Sequence, residues 1–220
     1  MGVVALTLLL AICVTLILLV IGTPLAWWLS QTRSRAKPLI EALCAMPLIL
    51  PPTVLGFYLL IAFNPQAPIG KFWMSVTGDT LSFSFAGLVI ASVIYSLPFM
   101  VQPLQSAFES VGRAPLEAAA SLRAGPWDRF RSVVLPQSKR GFLSACVLTF
   151  AHTIGEFGVV LMVGGNIPGR TKVIAIDIYE RVETLDYAGA HRLSLGLLLF
   201  SFLVLLALYS LNRKGGYRVG

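Results

Sequence analysis

Long apolar blocks separated by short polar connections dominate the chain. A helix needs about 20 apolar residues to span the hydrocarbon core of a bilayer. Barrel strands would instead alternate apolar and polar residues over about ten positions, and these blocks do not alternate. The pattern predicts an all-α integral membrane protein with about five long transmembrane helices in one domain, residues 1–220. The blocks are Val3–Leu29, Leu39–Phe63, Phe83–Phe108, Phe142–Val163 and Leu193–Leu211.

The composition supports this interpretation, because 56% of the 220 residues are hydrophobic and only 12% are charged. Soluble domains are typically about 45–50% apolar and about 25% charged. The first block has no Lys or Arg before Arg33 and exceeds the apolar core of a signal peptide, so we expect a retained helix. Cys13, Cys44 and Cys146 lie in or beside apolar blocks, where they indicate small apolar filler rather than a disulfide framework.

The positive charges are placed in alternate connections. The net charge of +7 would suit a nucleic-acid partner, but this placement favours the lipid bilayer as the partner instead. The positive-inside rule puts the Arg-rich connections and the C-terminus in the cytoplasm and the N-terminus outside, a parity that five crossings satisfy. The Arg-rich connections hold Arg33, Arg35, Lys37, then Arg113, Arg123, Arg129, Arg131, Lys139, Arg140, and finally Arg213, Lys214 and Arg218.

The segment Lys172–Thr184 is a sixth candidate span, but it carries five charges. Each charge at the bilayer centre costs about 2.5–3.5 kcal/mol on insertion scales. We therefore expect a short amphipathic or re-entrant helix on the outer side.

Prolines interrupt two of the apolar blocks. Pro47, Pro51 and Pro52 fall inside the second block, and Pro98 and Pro103 fall inside the third. Each proline removes a backbone donor and clashes with the preceding turn. Transporters build their pathways from such interrupted helices, whereas a simple packing kink is the alternative.

The connection Glu109–Gly141 is much longer than a tight turn between helices requires. Pro115 opens a helix-forming run over 116–122, and Gly125-Pro126 then breaks the chain. The spacing of the next apolar residues predicts a second short helix that Leu135-Pro136 ends. Two such helices form either a knob that docks into a groove of a partner or a hairpin on lipid headgroups. The apolar residues of the second helix are Trp127, Phe130, Val133 and Val134.

This connection resembles the EAA loop through which permeases of ABC importers contact their ATPases. The resemblance implies a cytoplasmic two-helix coupling loop, about 109–141. Arg123 stands where the family has Gly, and Arg does not readily adopt positive φ. We therefore expect helix through Arg123 and a turn at Gly125. The coupling residues so implied are Glu117, Ala118, Ala119, Leu122, Arg123, Ala124, Gly125, Pro126, Trp127, Phe130, Leu135 and Pro136.

His152 and Glu156 are four residues apart and so share one face of the predicted helix. Ionisable residues in a membrane span indicate function by default, whereas a mutually satisfied packing pair is the alternative. Further on, Gly164–Thr171 has the spacing of a phosphate-binding P-loop with Arg170 in place of Lys. A P-loop follows a strand, whereas this segment follows a membrane helix on the outer side, so ATP is not expected there. We expect no cofactor on this chain, with ATP and Mg²⁺ held by a partner ATPase.

Three segments together resemble the molybdate permease branch of this family: Leu48–Gly56, Gly155–Gly158 and Gly165–Thr171. The resemblance implies a non-catalytic permease subunit that imports molybdate or tungstate across the bacterial inner membrane. It also implies a second copy of the chain, two cytoplasmic ATPase subunits and an extracytoplasmic oxyanion-binding protein as partners. The implied pathway residues are Pro51, Pro52, His152, Gly155, Glu156, Phe157, Gly158 and Asn166.

Three alternatives remain open. Sulfate and thiosulfate permeases share the Glu-Phe-Gly and Asn-Ile-Pro elements. An ion-coupled secondary transporter would need carboxylates at mid-membrane, where this chain offers only Glu156, and would leave the coupling loop unexplained. A membrane enzyme is unsupported by any nucleophile–base pair or metal-ligand cluster in the sequence.

The topology generates a first testable prediction. Reporter fusions after Lys71 and after Arg131 should report opposite sides of the membrane, because the Lys- and Arg-rich connections stay in the cytoplasm. Alkaline phosphatase and green fluorescent protein fusions measure the two sides. The same side for both fusions would contradict the topology.

Overall fold

The computed structural model describes residues 2–213, apart from the side chains of 212 and 213. Lys214 and Arg218 of the predicted cytoplasmic tail lie outside these residues. The described part is all-helical, which confirms the predicted fold class. The helices are α1 Val3–Gln31, α2 Lys37–Ile49, α3 Pro52–Phe63, α4 Pro68–Thr77, α5 Phe85–Ser110, α6 Ala114–Ser121, α7 Pro126–Arg129, α8 Leu135–Gln137, α9 Lys139–Gly155, α10 Gly158–Gly164, α11 Ile174–Glu183 and α12 Tyr187–Arg213.

Polar contacts gather the connections at two ends of the helix bundle. At one end, which we call the basic end, Lys37 Nζ lies 3.4 Å from a carboxylate oxygen of Glu109. The loop that follows α5 lies at this end. At the opposite end, Arg170 pairs with Asp79 at 2.9 Å. These contacts group the connections as the charge pattern predicts.

Three helices, α1, α5 and α12, are long and apolar enough to cross a membrane unbroken. The pairs α2–α3 and α9–α10 also qualify, but they are bent by 110° and 59° at their breaks. Each pair starts near the basic end and finishes at the opposite end, where Ser82 Oγ donates to Phe63 O at 2.9 Å and Phe83 N donates to Val163 O at 2.9 Å. With each bent pair taken as one broken span, the described residues provide up to five spans, which agrees with the predicted number.

The core lies where α1, α5 and α9 pack together. Its α1 side is a stripe of residues spaced about one helical turn apart, so one face of this otherwise uniformly apolar helix is fully buried. The remaining faces of α1 and most of α12 are exposed apolar surface, as expected of helices that meet lipid. The buried α1 stripe includes Leu6, Leu10, Val14, Leu18 and Leu29.

The prolines do not all act alike. Pro98 and Pro103 lie inside an unbroken α5, so the third block does not repeat the interruption of the second. Pro47 lies inside α2 in the same way. The break comes at Pro51, whose backbone is extended and which is followed directly by Pro52. Two consecutive prolines remove two successive backbone donors and so end the helix. A single proline removes only one helical hydrogen bond, and the surrounding packing keeps the helix intact.

The coupling loop contains the two short helical segments predicted for it, with one correction. Leu135-Pro136 does not end the second segment, because a π-helical turn over Phe130–Val134 leads directly into α8 and then α9. The wider turn accommodates Pro136, which lacks a backbone donor. Ser138 N restores the pattern by donating to Val134 O at 2.9 Å.

Arg123 corrects a second expectation. Its φ is +63°, so the chain leaves the helix at Arg123 and not at Gly125. Arg123 N donates to Ala120 O at 2.9 Å and Ala124 N donates to Ala119 O at 3.1 Å, the two hydrogen bonds of a Schellman cap. These bonds satisfy carbonyl groups that a straight exit would leave open, which outweighs the cost of a left-handed arginine.

Two short helices lie at the opposite end. The predicted amphipathic helix at Lys172–Thr184 is present as α11. The sequence analysis did not predict α4, an amphipathic helix whose exposed side carries Phe72 and Val76. Its only local signal was Pro68 at the first helical position.

The left-handed conformation of Arg123 generates a prediction for Arg123→Gly. Glycine avoids the strain of positive φ, which is about 1 kcal/mol or more, so the cap of α6 should become more stable. We expect roughly fivefold slower hydrogen exchange at the Ala124 amide. The matched control is Ala120→Gly within α6, which should speed exchange. Faster exchange in Arg123→Gly would contradict the cap.

Candidate translocation site and coupling surface

The two helix breaks face one cavity of about 520 Å³. The α2–α3 break brings the start of α3 to its wall, and the α9–α10 break brings the end of α9 and the start of α10. One side chain of α5 completes it. The lining residues are Pro52, Thr53, Tyr95, Ala151, His152, Gly155, Glu156, Phe157 and Gly158. All but three of these residues, Thr53, Tyr95 and Ala151, are among the predicted pathway residues.

The two broken spans pack against each other without intervening side chains. A Cβ atom on Gly158 would lie 2.6 Å from Pro52 Cβ, and one on Gly56 would lie 2.8 Å from Met162 Cβ. Contacts this short do not occur between real carbon atoms, so both positions require glycine at the observed spacing. The glycines thereby let α3 and α10 cover each other's breaks.

His152 is fixed by a directional chain of hydrogen bonds. Thr153 Oγ1 donates to Thr149 O at 2.9 Å, so Thr153 accepts from Ser96 Oγ at 3.1 Å. The Ser96 oxygen is then free to accept from His152 Nδ1 at 3.0 Å. This arrangement places the proton of a neutral His152 on Nδ1. Stacking on Phe99, with ring centroids 3.9 Å apart, holds the ring plane.

Glu156 is only 4% exposed, and neither of its carboxylate oxygens has a hydrogen-bond partner within the described residues. The Ser92 hydroxyl, also buried, is close enough to interact with this carboxylate, but the two groups do not meet hydrogen-bond geometry. The predicted alternative of a mutually satisfied His152–Glu156 pair is therefore wrong. His152 bonds to Ser96 instead, and Glu156 is the C-cap residue of α9, after which the chain turns away with ψ of 133°.

The cavity is mostly apolar; a few polar side chains and the carboxyl group of Glu156 line it, and no Lys or Arg does among its described lining residues. The hydroxyl groups of Thr53 and Tyr95 and the ring of His152 are hydrogen-bonding groups suited to oxygen atoms. Sequence reasoning missed Thr53 and Tyr95. Thr53 directly follows the Pro51-Pro52 break, and that position could have identified it.

Asn166 does not join this cavity. It lies at the opposite end of the bundle, where its Nδ2 donates to Glu180 Oε2 at 2.9 Å. Glu180 also pairs with Lys172, and these two hydrogen bonds hold the pKa of Glu180 below its ordinary value. Lys172 reaches Asp177 at 2.9 Å as well, and both acidic partners raise the pKa of the Lys172 ammonium. Asn166 thus belongs to a polar network that fastens the segment after α10 to α11.

The predicted coupling residues lie together at the basic end. Some of them face the helix bundle and others are exposed on the outer face of the coupling loop. Leu116 is buried, whereas Leu122 and Trp127 are 84% and 71% exposed. Phe130 faces inward, with its ring centroid 5.5 Å from that of Trp27 on α1, and Val134 is fully buried. Most of the apolar face of the second segment therefore packs against the helix bundle of this chain and is not available to a partner.

The other coupling residues form the exposed tip or the connection between the short helices. Glu117 and Ala118 are exposed on α6, and the carbonyl oxygen of Ala119 belongs to the helix cap. Gly125 is extended, as expected of a residue before proline. The remaining connection and second-segment residues are Ala124, Pro126, Leu135 and Pro136.

Five spans, two of them broken around a shared polar cavity, define a class of protein: the membrane subunit of a transporter. Residues 19–214 match the family described as the binding-protein-dependent transport system inner membrane component. This match covers most of the chain, and the chain belongs to that family.

Related proteins point in the same direction. The chain is 60% identical, over 94% of its length and 92% of the relative, to the molybdenum transport system permease protein ModB of Azotobacter vinelandii. It is 35% identical to the protein of the same name from Escherichia coli (strain K12), over 83% of the chain and 82% of the relative. The sulfate transport system permease protein CysT of the same strain is 32% identical, over 91% of the chain and 72% of the relative.

Solved structures share the fold. A chain of the MetNI methionine ABC transporter in an inward-facing conformation aligns with a TM-score of 0.73 at 17% identity, covering 96% of this chain and 94% of that one. A chain of a bacterial ABC transporter that imports alginate aligns with a TM-score of 0.76 at 15% identity, covering 98% and 79%.

The close packing of the two breaks generates a prediction for Gly158→Ala. The added methyl group meets Pro52 Cβ, so α3 and α10 must separate, at a cost of about 1–3 kcal/mol. We expect a lower melting temperature in detergent and reduced transport. Gly196→Ala is the matched control, because this glycine lies in a membrane-spanning helix, does not line the cavity, and a Cβ there meets nothing within 4 Å. Equal effects of the two substitutions would contradict this interpretation.

Proposed function

We propose that this chain is the permease subunit of an ATP-driven importer and translocates molybdate across the inner membrane. The observation that carries the proposal is 60% identity over 94% of the chain to a molybdenum transport permease. The cavity between the broken helices is consistent with it, because neutral hydrogen-bonding groups suit an oxyanion in transit. Tungstate, with the same oxyanion chemistry, is an expected second substrate.

The proposed pathway lies along the cavity between α3, α5, α9 and α10. Five spans are few for enclosing a gated pathway, and a two-fold pair of identical chains is the commonest way to complete one. In such a homodimer the two cavities would face each other across the axis. An oxyanion-binding protein would deliver the anion from outside, and two ATPase subunits would carry ATP and Mg²⁺ on the other side.

Transport in this scheme needs the cavity to open alternately to the two sides. The breaks supply the places where short helices can tilt without bending a continuous helix. Glu156, buried beside the second break and without a partner, is the group whose surroundings such tilting would change most.

The proposed coupling runs through an aromatic cluster. Phe130 of the coupling loop contacts Trp27 of α1 and Phe108 of α5, with ring centroids 5.5 and 6.0 Å apart. Trp27 and Phe108 also contact each other at 5.6 Å. A movement imposed on the exposed tip of the loop would therefore reach two membrane spans through rigid, close-packed rings.

The proposed orientation puts the basic end in the cytoplasm. Unpaired positive side chains gather at this end of the described bundle, as the positive-inside rule requires. The N-terminus then lies outside, and α4 and α11 lie on the outer surface.

The function is tested by reconstitution. The chain, its ATPase and its binding protein in proteoliposomes should take up molybdate in an ATP-dependent manner, with sulfate competing weakly. Sulfate uptake at an equal or greater rate would favour a sulfate permease. Uptake driven by an ion gradient in the absence of ATPase would indicate a secondary transporter.

The exposed tip of the loop generates a prediction for Glu117→Ala and Ala119→Leu. Both substitutions should reduce ATPase association and molybdate uptake severalfold without removing the chain from the membrane, because they alter the docking surface and not the core. Glu183→Ala is a matched control for ATPase association, because Glu183 is exposed at the opposite end. Normal uptake with an altered Glu117–Ala119 segment would contradict the docking assignment.

A further inference from the structure

Two adjoining cavities lie at the basic end, on either side of Trp27. The larger is an apolar groove of about 610 Å³ between α1 and the coupling loop. The smaller, about 230 Å³, contains Gln31 and Arg129. Trp27 and Pro126 line both cavities, so the two are immediate neighbours. The groove is lined by Leu19, Val20, Thr23, Pro24, Trp27, Pro126, Trp127 and Phe130.

The groove has the dimensions and direction of a lipid chain. Its α1 wall runs from Leu19 to Trp27, eight residues that rise about 12 Å along a membrane-spanning helix. The Thr23 hydroxyl is occupied, since it donates to Leu19 O at 2.6 Å, and the groove surface is therefore apolar. Trp127, 71% exposed, forms the far rim. Trp27 and Trp127 thus stand at the level where tryptophan favours the headgroup boundary.

The smaller cavity has an unsatisfied positive charge. The Nε atom of Arg129 is buried and has no hydrogen-bond partner in the described part of the chain. No described carboxylate forms an ion pair with Arg129 either. Gln31, which lines the same cavity, donates a hydrogen bond from its side-chain amide to Ser30 Oγ at 3.2 Å. Because Arg129 lines the smaller cavity and has no ion pair among the described residues, an anion in that cavity would compensate its charge, and a phosphate oxygen is the acceptor that a membrane surface supplies.

We infer that this pair of cavities is a binding site for one anionic phospholipid of the leaflet at the basic end. One acyl chain lies in the groove along α1, and the phosphodiester meets Arg129 in the smaller cavity. An apolar groove beside an unpaired cation suits an anionic lipid: free phosphate would leave the groove empty, and a zwitterionic lipid would bring its own ammonium group next to the phosphodiester, so it would compensate the charge of Arg129 less well. Bound there, the lipid packs between α1 and the coupling loop.

The first experiment uses the unaltered protein. The full chain is reconstituted in nanodiscs with phosphatidylglycerol or phosphatidylethanolamine brominated on the acyl chains, at equal mole fractions. Bromine quenches tryptophan fluorescence on contact, so brominated phosphatidylglycerol should quench more strongly than brominated phosphatidylethanolamine. Equal quenching by the two lipids would overturn the inference. No substitution is needed for this arm, so a folding defect cannot obscure it.

The second experiment assigns the site by substitution. Arg129→Gln should abolish the preference for phosphatidylglycerol, counted as lipid retained per chain by native mass spectrometry. Val20→Trp fills the groove and should reduce retention of both lipids. The matched controls are Arg123→Gln, on the same loop, and Ile12→Trp, exposed on the same helix; neither residue lines the cavities, and neither control should change retention.

The remaining outcomes decide against the site. Equal loss of phosphatidylglycerol in Arg123→Gln and Arg129→Gln would indicate general attraction to the basic end. Weaker ATPase association in Arg129→Gln, with unchanged lipid retention, would make Arg129 a protein contact. The assay requires neither molybdate nor transport, so its result is independent of the proposed function.

Discussion

The backbone at the two helix breaks constrains the rest of the structure. At membrane depth an open backbone group finds no water, so a broken helix survives only where protein or a polar cavity covers it. Here each break is covered by the other span: Pro52 at the start of α3 meets Gly158 at the start of α10. The absence of side chains at Gly56 and Gly158 makes this cover possible. The cavity is the space left between the two breaks where the broken spans pack against each other.

The same geometry separates the polar residues of the fourth span by role. His152 lies on regular helix and is held by Ser96 and Phe99, so it is a fixed element of the cavity wall. Glu156 lies one turn further, where the backbone becomes extended, and it has no comparable support. Two ionisable residues four positions apart thus have different environments, because a helix ends between them.

The coupling loop has two faces with different tasks. Phe130 and Val134 belong to the core of the bundle, whereas Glu117, Leu122 and Trp127 remain exposed. The inward face joins the loop to α1 and α5 through close-packed rings. The outward face is free for a partner, and the flank beside Trp27 is open to lipid. One loop thereby meets the membrane spans, the bilayer and the proposed ATPase surface.

The sequence by itself determined the class of fold, the spans and the grouping of the loops. Hydrophobic blocks and basic connections are local properties of the chain, and they decide which segments enter the bilayer and on which side each loop remains. It also located the break at Pro51 and most residues of the cavity, whereas the break at Glu156 appeared only in the structure. Only the tertiary structure decided that Tyr95 joins the cavity and Asn166 does not, since both depend on which helices pack together. Arg123 shows the same limit: propensity disfavours a left-handed arginine, but the carbonyl groups at the end of α6 require a cap, and the whole motif outweighs one residue.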